Sequence, residues 1–352
     1  MAAKPVSVGI IANPASGADI RRLVALGSVF GAQEKVNIVR RILVGLEAAG
    51  VEQIYLMPDA FGIASQALGK LPAGFVGLRD RAHLLDLPVE NGPKDSLRAT
   101  QEMCTLGVGC IIVLGGDGTN RVVAKGCGQV PILPVSTGTN NVIPYLVEGT
   151  VAGLAGGFVA HHPEVLTQVA YRSKRLEVRQ DGSEPDVALV DVAVVAGDQV
   201  GTRAVWDPST LRQAIVTRGE PWATGISSLA GFLMPLSPTE PRGLWFLLGE
   251  ARLCRAKVPL APGLMASLDV QAIRELSIGD SITIPGGRIL LALDGEREIR
   301  LYQGQSAQIY LRDDGPWMVD VYRAAQEATK RGFFVRWFND AGKSTRQGGY
   351  QT

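Results

Sequence analysis

Short apolar runs that end abruptly in glycine and small polar residues set the pattern of the first half of the chain. Residues 6–11 (VSVGII), 53–57, 82–87, 110–114 (CIIVL) and 131–135 (PILPV) read as buried strands. Between them, residues 37–49 carry Ile38, Ile42, Leu43 and Leu46 at helical spacing and stop at Gly50. Residues 18–23, 61–71, 96–106 and the stretch beginning at Arg121 are further helix candidates. Alternating strands and helices predict a mainly parallel, three-layer α/β unit. Small, helix-compatible residues over 150–163 carry the chain out of it. From Ser173 the pattern changes. Residues 176–178, 186–195, 202–206, 243–249, 281–284, 289–293 and 306–311 read as strands separated by glycine and proline, which predicts an all-β, sandwich-like second unit. A helix over 319–330 and a polar, mobile tail from Gly342 close the chain. The expected division is 1–160, joined by the C-terminal segment 315–352, and 161–314.

Composition narrows the function classes. The 352 residues are 46% hydrophobic and 20% charged, with a net charge of +1. No global field favours nucleic acid or an anionic membrane, and no basic stripe interleaved with aromatics appears. The apolar runs are too short to span a bilayer. The N-terminus leads straight into a strand, so a cytoplasmic protein is expected. Cys104, Cys110, Cys127 and Cys254 lack metal-type spacing and read as free thiols, and no metal site built from protein ligands alone is expected. His161 and His162 precede Pro163 in what reads as an exposed connector.

Three turns of one kind stand out, each at the end of a predicted parallel strand. The first is Asn13-Pro14-Ala15-Ser16-Gly17, where Asn13, Ser16 and Gly17 are the candidate ligands. The second runs Gly115-Gly116-Asp117-Gly118-Thr119-Asn120. The third is Ser136-Thr137-Gly138-Thr139-Asn140-Asn141. Glycine permits positive φ and close backbone approach, and amides at a helix start favour an anion. Open α/β sheets place ligands at this edge. A nucleotide-binding edge is therefore expected. Asp117 is an acid inside a phosphate cradle, which suggests phosphoryl transfer rather than plain phosphate binding. Arg21, Arg22 and Arg121 are candidates to neutralise charge. The late Asp294-Gly295-Glu296 reads by itself as a hairpin turn.

Taken in order, NPASG, GGDGTN, TGTNN and the late DGE turn resemble the superfamily of NAD kinases, diacylglycerol kinases and sphingosine kinases. The wording is most similar to the acetoin catabolism protein X family. The resemblance covers about residues 6–300. It implies an α/β nucleotide domain, a β-sandwich domain and an active site in the cleft between them. It implies ATP and Mg²⁺, with Asn13, Ser16, Gly17, Gly115, Gly116, Gly118, Thr119, Asn120, Thr137, Gly138, Thr139 and Asn140 around the nucleotide. Either Asp117 or Glu296 would be the catalytic base. Asn141, Asp191, Thr224, Gly225, Ser227 and Asp294 would face the acceptor. Val190 replaces the Asn that helps grip the nucleoside in NAD kinases, and Ile226 departs from their TGSTAY stretch. The implied activity is transfer of the γ-phosphoryl of ATP to a hydroxyl of NAD or a related small molecule, with a link to acetoin catabolism. The alternatives are a non-catalytic ATP- or NAD-binding regulator and a lipid kinase. Homo-oligomers are common in the superfamily.

Overall fold

The computed structural model describes residues 4–16, 26, 30–71, 73–138, 141–197, 208–250, 253–295, 297–338 and 344–345. The first half runs β1 (Ser7–Ala12), α1 (Ala32–Ala48), β2 (Gln53–Leu56), α2 (Ile63–Gly69), α3 (Val76–Arg79), β3 (Ala82–Leu84), α4 (Pro93–Leu106), β4 (Cys110–Leu114), α5 (Asp117–Ala124), β5 (Ile132–Val135), α6 (Gly149–His161), α7 (Leu166–Val169) and β6 (Ala170–Arg172). The second half contributes β7 (Arg175–Gln180), β8 (Asp186–Ala188), β9 (Asp191–Ala196), β10 (Leu211–Val216), α8 (Ser227–Leu233), β11 (Arg242–Leu248), β12 (Cys254–Ala261), β13 (Leu264–Ser277), β14 (Ser281–Pro285), β15 (Ile289–Leu293), β16 (Arg297–Leu301), β17 (Ser306–Arg312), β18 (Trp317–Val319) and α9 (Val321–Lys330).

The first sheet has the order β3-β2-β1-β4-β5-β18-β6. Pairing from β3 through β5 is parallel. Successive residues of β4 point to opposite faces, as the pleat requires. Ile112 and Leu114 join a core with α1, α6 and α9, whereas Ile111 and Val113 join a core with α4 and α5. Helices thus cover both faces. Pro134 sits inside β5, where a missing N–H is normally costly. The ladder on its β18 side is confined to Met318 opposite Ile132, so no donor is needed there.

The second unit packs one antiparallel sheet, β12-β13-β11-β10-β9-β15-β16, on another, β14-β17-β7-β8. Val192 and Val194 of β9 face the core between the sheets, with Ile215, Leu291 and Ile309. Ala193 and Val195 face the opposite side, where α8 buries Leu229 and Ala230. The α/β unit and the sandwich are as expected.

Several elements differ from the sequence reading. The 82–87 strand ends at Leu84, and the 61–71 helix is confined to Ile63–Gly69. The closing segment begins as a strand, Trp317–Val319, which lies in the first sheet. Asp320 then caps α9 by accepting the amides of Tyr322 (3.0 Å) and Arg323 (3.1 Å). His161 ends α6 rather than lying in an exposed connector, and its ring centroid is 5.5 Å from that of Phe333. Strands β10, β12 and β13 have no counterpart in the sequence reading. The expected helix over 18–23 and strand over 202–206 lie outside the described residues, as does most of the tail.

Candidate functional site

In the order β3-β2-β1-β4-β5 the sheet is extended first to one side of β1 and then to the other. The switch lies between β1 and β4. Loops leaving those two strands part there and open a crevice at their carboxyl ends. The 13–16 turn leaves β1, the 115–120 turn leaves β4, and the 136–141 turn leaves β5. The three are wired together. The Asn13 amide nitrogen donates to Thr119 Oγ1 at 2.9 Å. The Thr137 hydroxyl donates to Ser16 Oγ at 3.0 Å. Asn141 Nδ2 donates to Ser136 Oγ at 2.7 Å, and the Gly138 amide reaches the same hydroxyl.

Gly115 is required for a reason other than positive φ. A Cβ there would come within 2.5 Å of Thr119, so the missing side chain lets the first turn of α5 close on the end of β4. Gly115, Gly116 and Gly138 all have ordinary φ, so the freedom that glycine offers for positive φ is not used there. Thr119 and Asn120 are buried, and Asn120 Nδ2 donates to the Gly116 carbonyl at 2.9 Å. Asn120 Oδ1 is buried with no hydrogen-bond partner.

Asp117 is the first residue of α5 and is partly buried. Its carboxylate accepts the amides of Val142 (2.9 Å) and Ile143 (2.8 Å), which joins the second turn to the third. Burial pushes its pKa up to about 7, and the charge of Asp294 adds to this. The two amides and the Arg218 guanidinium pull the other way. An acid poised near neutrality suits proton transfer.

The sandwich supplies the other wall. Asp294 sits at the β15–β16 turn with φ 50°, a conformation Asp tolerates. Its carboxylate accepts the amides of Leu189 (2.9 Å), Val190 (2.8 Å) and Asp191 (3.1 Å), and Arg121 Nε lies 3.9 Å away. Burial raises its pKa against the pull of Arg121 and these amides. Asp294 was expected to face the acceptor. Its side chain is instead fully enclosed and anchors the 189–191 strand start. Arg121 is likewise enclosed, 3.5 Å from Asp186, rather than free to meet a moving phosphoryl. Ser227, also expected at the acceptor, is fully buried with its hydroxyl turned to the Thr224 carbonyl at 3.5 Å. Gly225 has φ 89° and donates its amide to Pro259 at 3.0 Å. Asp191 is buried at the start of β9. Gly17, Thr139, Asn140 and Glu296 lie outside the described residues, as do Arg21 and Arg22.

Sequence reasoning missed two cations. Lys35 of α1 is 2% exposed and donates to the carbonyls of Asn13, Pro14 and Ser16. Its signal was present: Lys35, Val39, Ile42 and Leu46 form one helical stripe, and a lysine on an apolar stripe needs a reason. Arg218 is buried and pairs with Glu220. It also donates to Tyr171 Oη at 3.0 Å and Tyr145 Oη at 3.3 Å. Burial works against its charge, but Tyr171 and Glu220 keep it firmly protonated.

An acid-bearing glycine turn at the switch point of an α/β sheet, walled by an antiparallel sandwich, defines the NAD kinase and diacylglycerol kinase class of fold. Residues 8–162 match the ATP-NAD kinase N-terminal domain model, and residues 174–314 match the acetoin catabolism protein X C-terminal domain model. Acetoin catabolism protein X of Cupriavidus necator is 38% identical over 333 residues, covering 91% of this chain and 92% of that one. The chain therefore belongs to the acetoin catabolism protein X family. Among solved structures, yeast NADH kinase complexed with NADH aligns over 94% of this chain and 88% of its own, at 14% identity and a TM-score of 0.51. An NAD kinase from Archaeoglobus fulgidus in complex with ATP aligns over 94% and 98%, at 12% identity and a TM-score of 0.41. Among the described residues no helix is long and apolar enough to cross a membrane.

Proposed function

We propose that this protein is an ATP-dependent phosphotransferase acting on a hydroxyl of NAD or a related small molecule. The observation that carries the reading is Asp117: an acid at a helix start, between the wired turns, with its pKa pushed up to about 7. Asp117 takes the proton of the acceptor hydroxyl as that oxygen bonds to the γ-phosphorus and the bond to the β,γ-bridging oxygen breaks. ADP then leaves with the bridging oxygen. The turns at 13–16, 115–120 and 136–138 would hold the nucleotide. Among the described residues no group of three His, Cys, Asp or Glu is placed to hold a metal ion. A Mg²⁺ brought by the nucleotide would be held mainly by phosphates and water. Most of the rate would come from positioning and charge stabilisation.

A second reading, a nucleotide-binding regulator without turnover, draws support from Val190. Its side chain is buried and apolar at the position where NAD kinases carry a polar grip. The test is ATP consumption with Mg²⁺ and, separately, NAD, NADH, a lipid diol or acetoin-pathway metabolites. Formation of NADP supports the NAD-kinase form of the proposal, and turnover with another acceptor moves the substrate. Binding without turnover in every mixture favours the regulator. D117N is expected to cut turnover by about a hundredfold or more while nucleotide binding survives.

A further inference from the structure

Two lysines in this fold are buried in the same way. Lys174 is 4% exposed and donates to the carbonyls of Ser237 (3.2 Å), Glu240 (2.6 Å) and Arg242 (2.7 Å). Lys35 is 2% exposed and donates to Asn13 (3.0 Å), Pro14 (2.8 Å) and Ser16 (2.6 Å). Capture of carbonyls by an ammonium is therefore a structural staple in this chain, and does not by itself mark a site. The difference lies in what is captured. Lys174 ties down a loop of the sandwich. Lys35 ties down the turn whose side chains bond the other two, through Asn13 to Thr119 and through Ser16 to Thr137.

The hydrogen bonds of Lys35 are satisfied, but its charge is not matched. Among the described residues no carboxylate pairs with it. Asp59 acts on it only from a distance, and spends its own oxygens on the amides of Phe61 and Ile63. Its neighbour Glu34 is bound to Arg41 and Asn37. The groups facing it from the first turn are the uncharged carbonyls of Asn13, Pro14 and Ser16. The captured carbonyls turn the negative ends of their dipoles to the ammonium and the positive ends away from it. A buried, unmatched cation beneath a crevice favours an anion in that crevice.

We propose that Lys35 is a positioning residue of the nucleotide site: it holds the 13–16 turn in place, and its charge is matched by the polyphosphate of a bound nucleoside triphosphate. The proposal rests on the nucleotide lying along the three turns, as in the proposed phosphotransferase. The unmatched charge also links binding to protons. Burial holds the free Lys35 ammonium down to about 8, against the ordinary 10.5. A nearby anion favours the charged form and raises that value. The bound protein then holds more protons than the free protein between about pH 8 and pH 10. Binding takes up protons there, and affinity falls as pH rises through that window.

The test is calorimetric titration of the full chain with ATP and Mg²⁺ at pH 8, in two buffers of different ionisation enthalpy. Parent, K35M, K35R and K174M are compared, and circular dichroism confirms the fold of each. The parent is expected to take up a fraction of a proton. K35M takes up fewer protons than the parent, keeping only what Asp117 gains beside the phosphates, and binds about tenfold or more weakly. K35R keeps its charge at all these pH values, so it binds with the same reduced uptake, and it serves should K35M not fold. K174M keeps both parent affinity and uptake. Parent-like affinity and proton uptake in folded K35M or K35R overturn the role of Lys35 alone. Failure of the parent to bind ATP overturns the nucleotide reading together with it.

Discussion

At the scale of single residues, the two buried aspartates do different work, and their environments say which. Asp117 keeps a partly open carboxyl with its pKa near neutrality. A general base must be unprotonated, so kcat/KM with the true acceptor is expected to rise as pH passes through about 7 and to level above it. A flat profile from pH 5.5 to 8.5 would count against Asp117 as base. The same shift has a cost in stability. The folded value lies above the unfolded one, so any stabilisation is present below about pH 4 and is lost as pH rises through about 7. D117N removes the unfavourable charge. It also turns an NH2 towards one of the two amides that the carboxylate accepts, so the expected sign is in the trend: the melting temperature of D117N relative to the parent rises from pH 5 to pH 8. Asp294 is the opposite case. Its oxygens are spent on the amides of Leu189, Val190 and Asp191, beside Arg121. D294A leaves those amides without an acceptor, takes one of two neighbouring carboxylates from the buried Arg121, and puts alanine at positive φ. A loss on the order of 3–5 kcal/mol is expected, measured by urea unfolding.

At the scale of elements, the α1–α6 contact shows what glycine contributes to this fold. Helix α6 carries Gly149, Gly153, Gly156 and Gly157, and each interior glycine costs about 1 kcal/mol relative to alanine. The return is close approach. A Cβ on Gly153 would lie 2.3 Å from the Ile42 carbonyl of α1, and one on Gly45 would lie 2.3 Å from the Thr150 carbonyl of α6. G153V must push the helices apart, at a cost of about 3 kcal/mol by chemical denaturation, with the fold otherwise kept. A variant as stable as the parent would show that the helices part freely. This contact was only half legible in the sequence. The strands of the first sheet were readable because both their faces are buried, as in CIIVL of β4. Helix α1 was readable from its stripe. Strand β13 was not, because its exposed alternate positions interrupt the apolar run with charged and polar residues over fourteen residues. The brief closing strand β18 was not read: its last residue, Val319, was given to the helix after it, and three residues carry too little periodicity to stand as a strand. In the site, the three turns were visible as local words. Their wiring through Asn13, Thr119, Ser16 and Thr137 was not, because it joins positions more than a hundred residues apart.

At the scale of the whole molecule, the crevice has one wall from each unit, and Arg218, like Arg121 beside Asp186 and Asp294, joins the walls electrostatically. It leaves the end of β10 in the sandwich, yet two of its hydrogen bonds go to phenols of the first half, Tyr145 and Tyr171. Tyr145 belongs to the segment after the third turn, where its carbonyl accepts the Ser136 amide at 2.8 Å. The guanidinium also lies close enough to lower the pKa of Asp117, opposing Asp294. One residue therefore sets both the relation of the two walls and the acidity of the candidate base. Replacing it by glutamine keeps some hydrogen bonding and removes the charge. With the opposing Asp294 unbalanced, the Asp117 carboxyl holds its proton to higher pH. In R218Q the acidic limb of the kcat/KM profile is expected to move to higher pH. Turnover above the limb should fall less than in D117N. A variant that only loosened the two units would lower the plateau and leave the limb in place. The position of the limb thus separates an electrostatic role for Arg218 from a mechanical one, and an unmoved limb removes Arg218 from the chemistry.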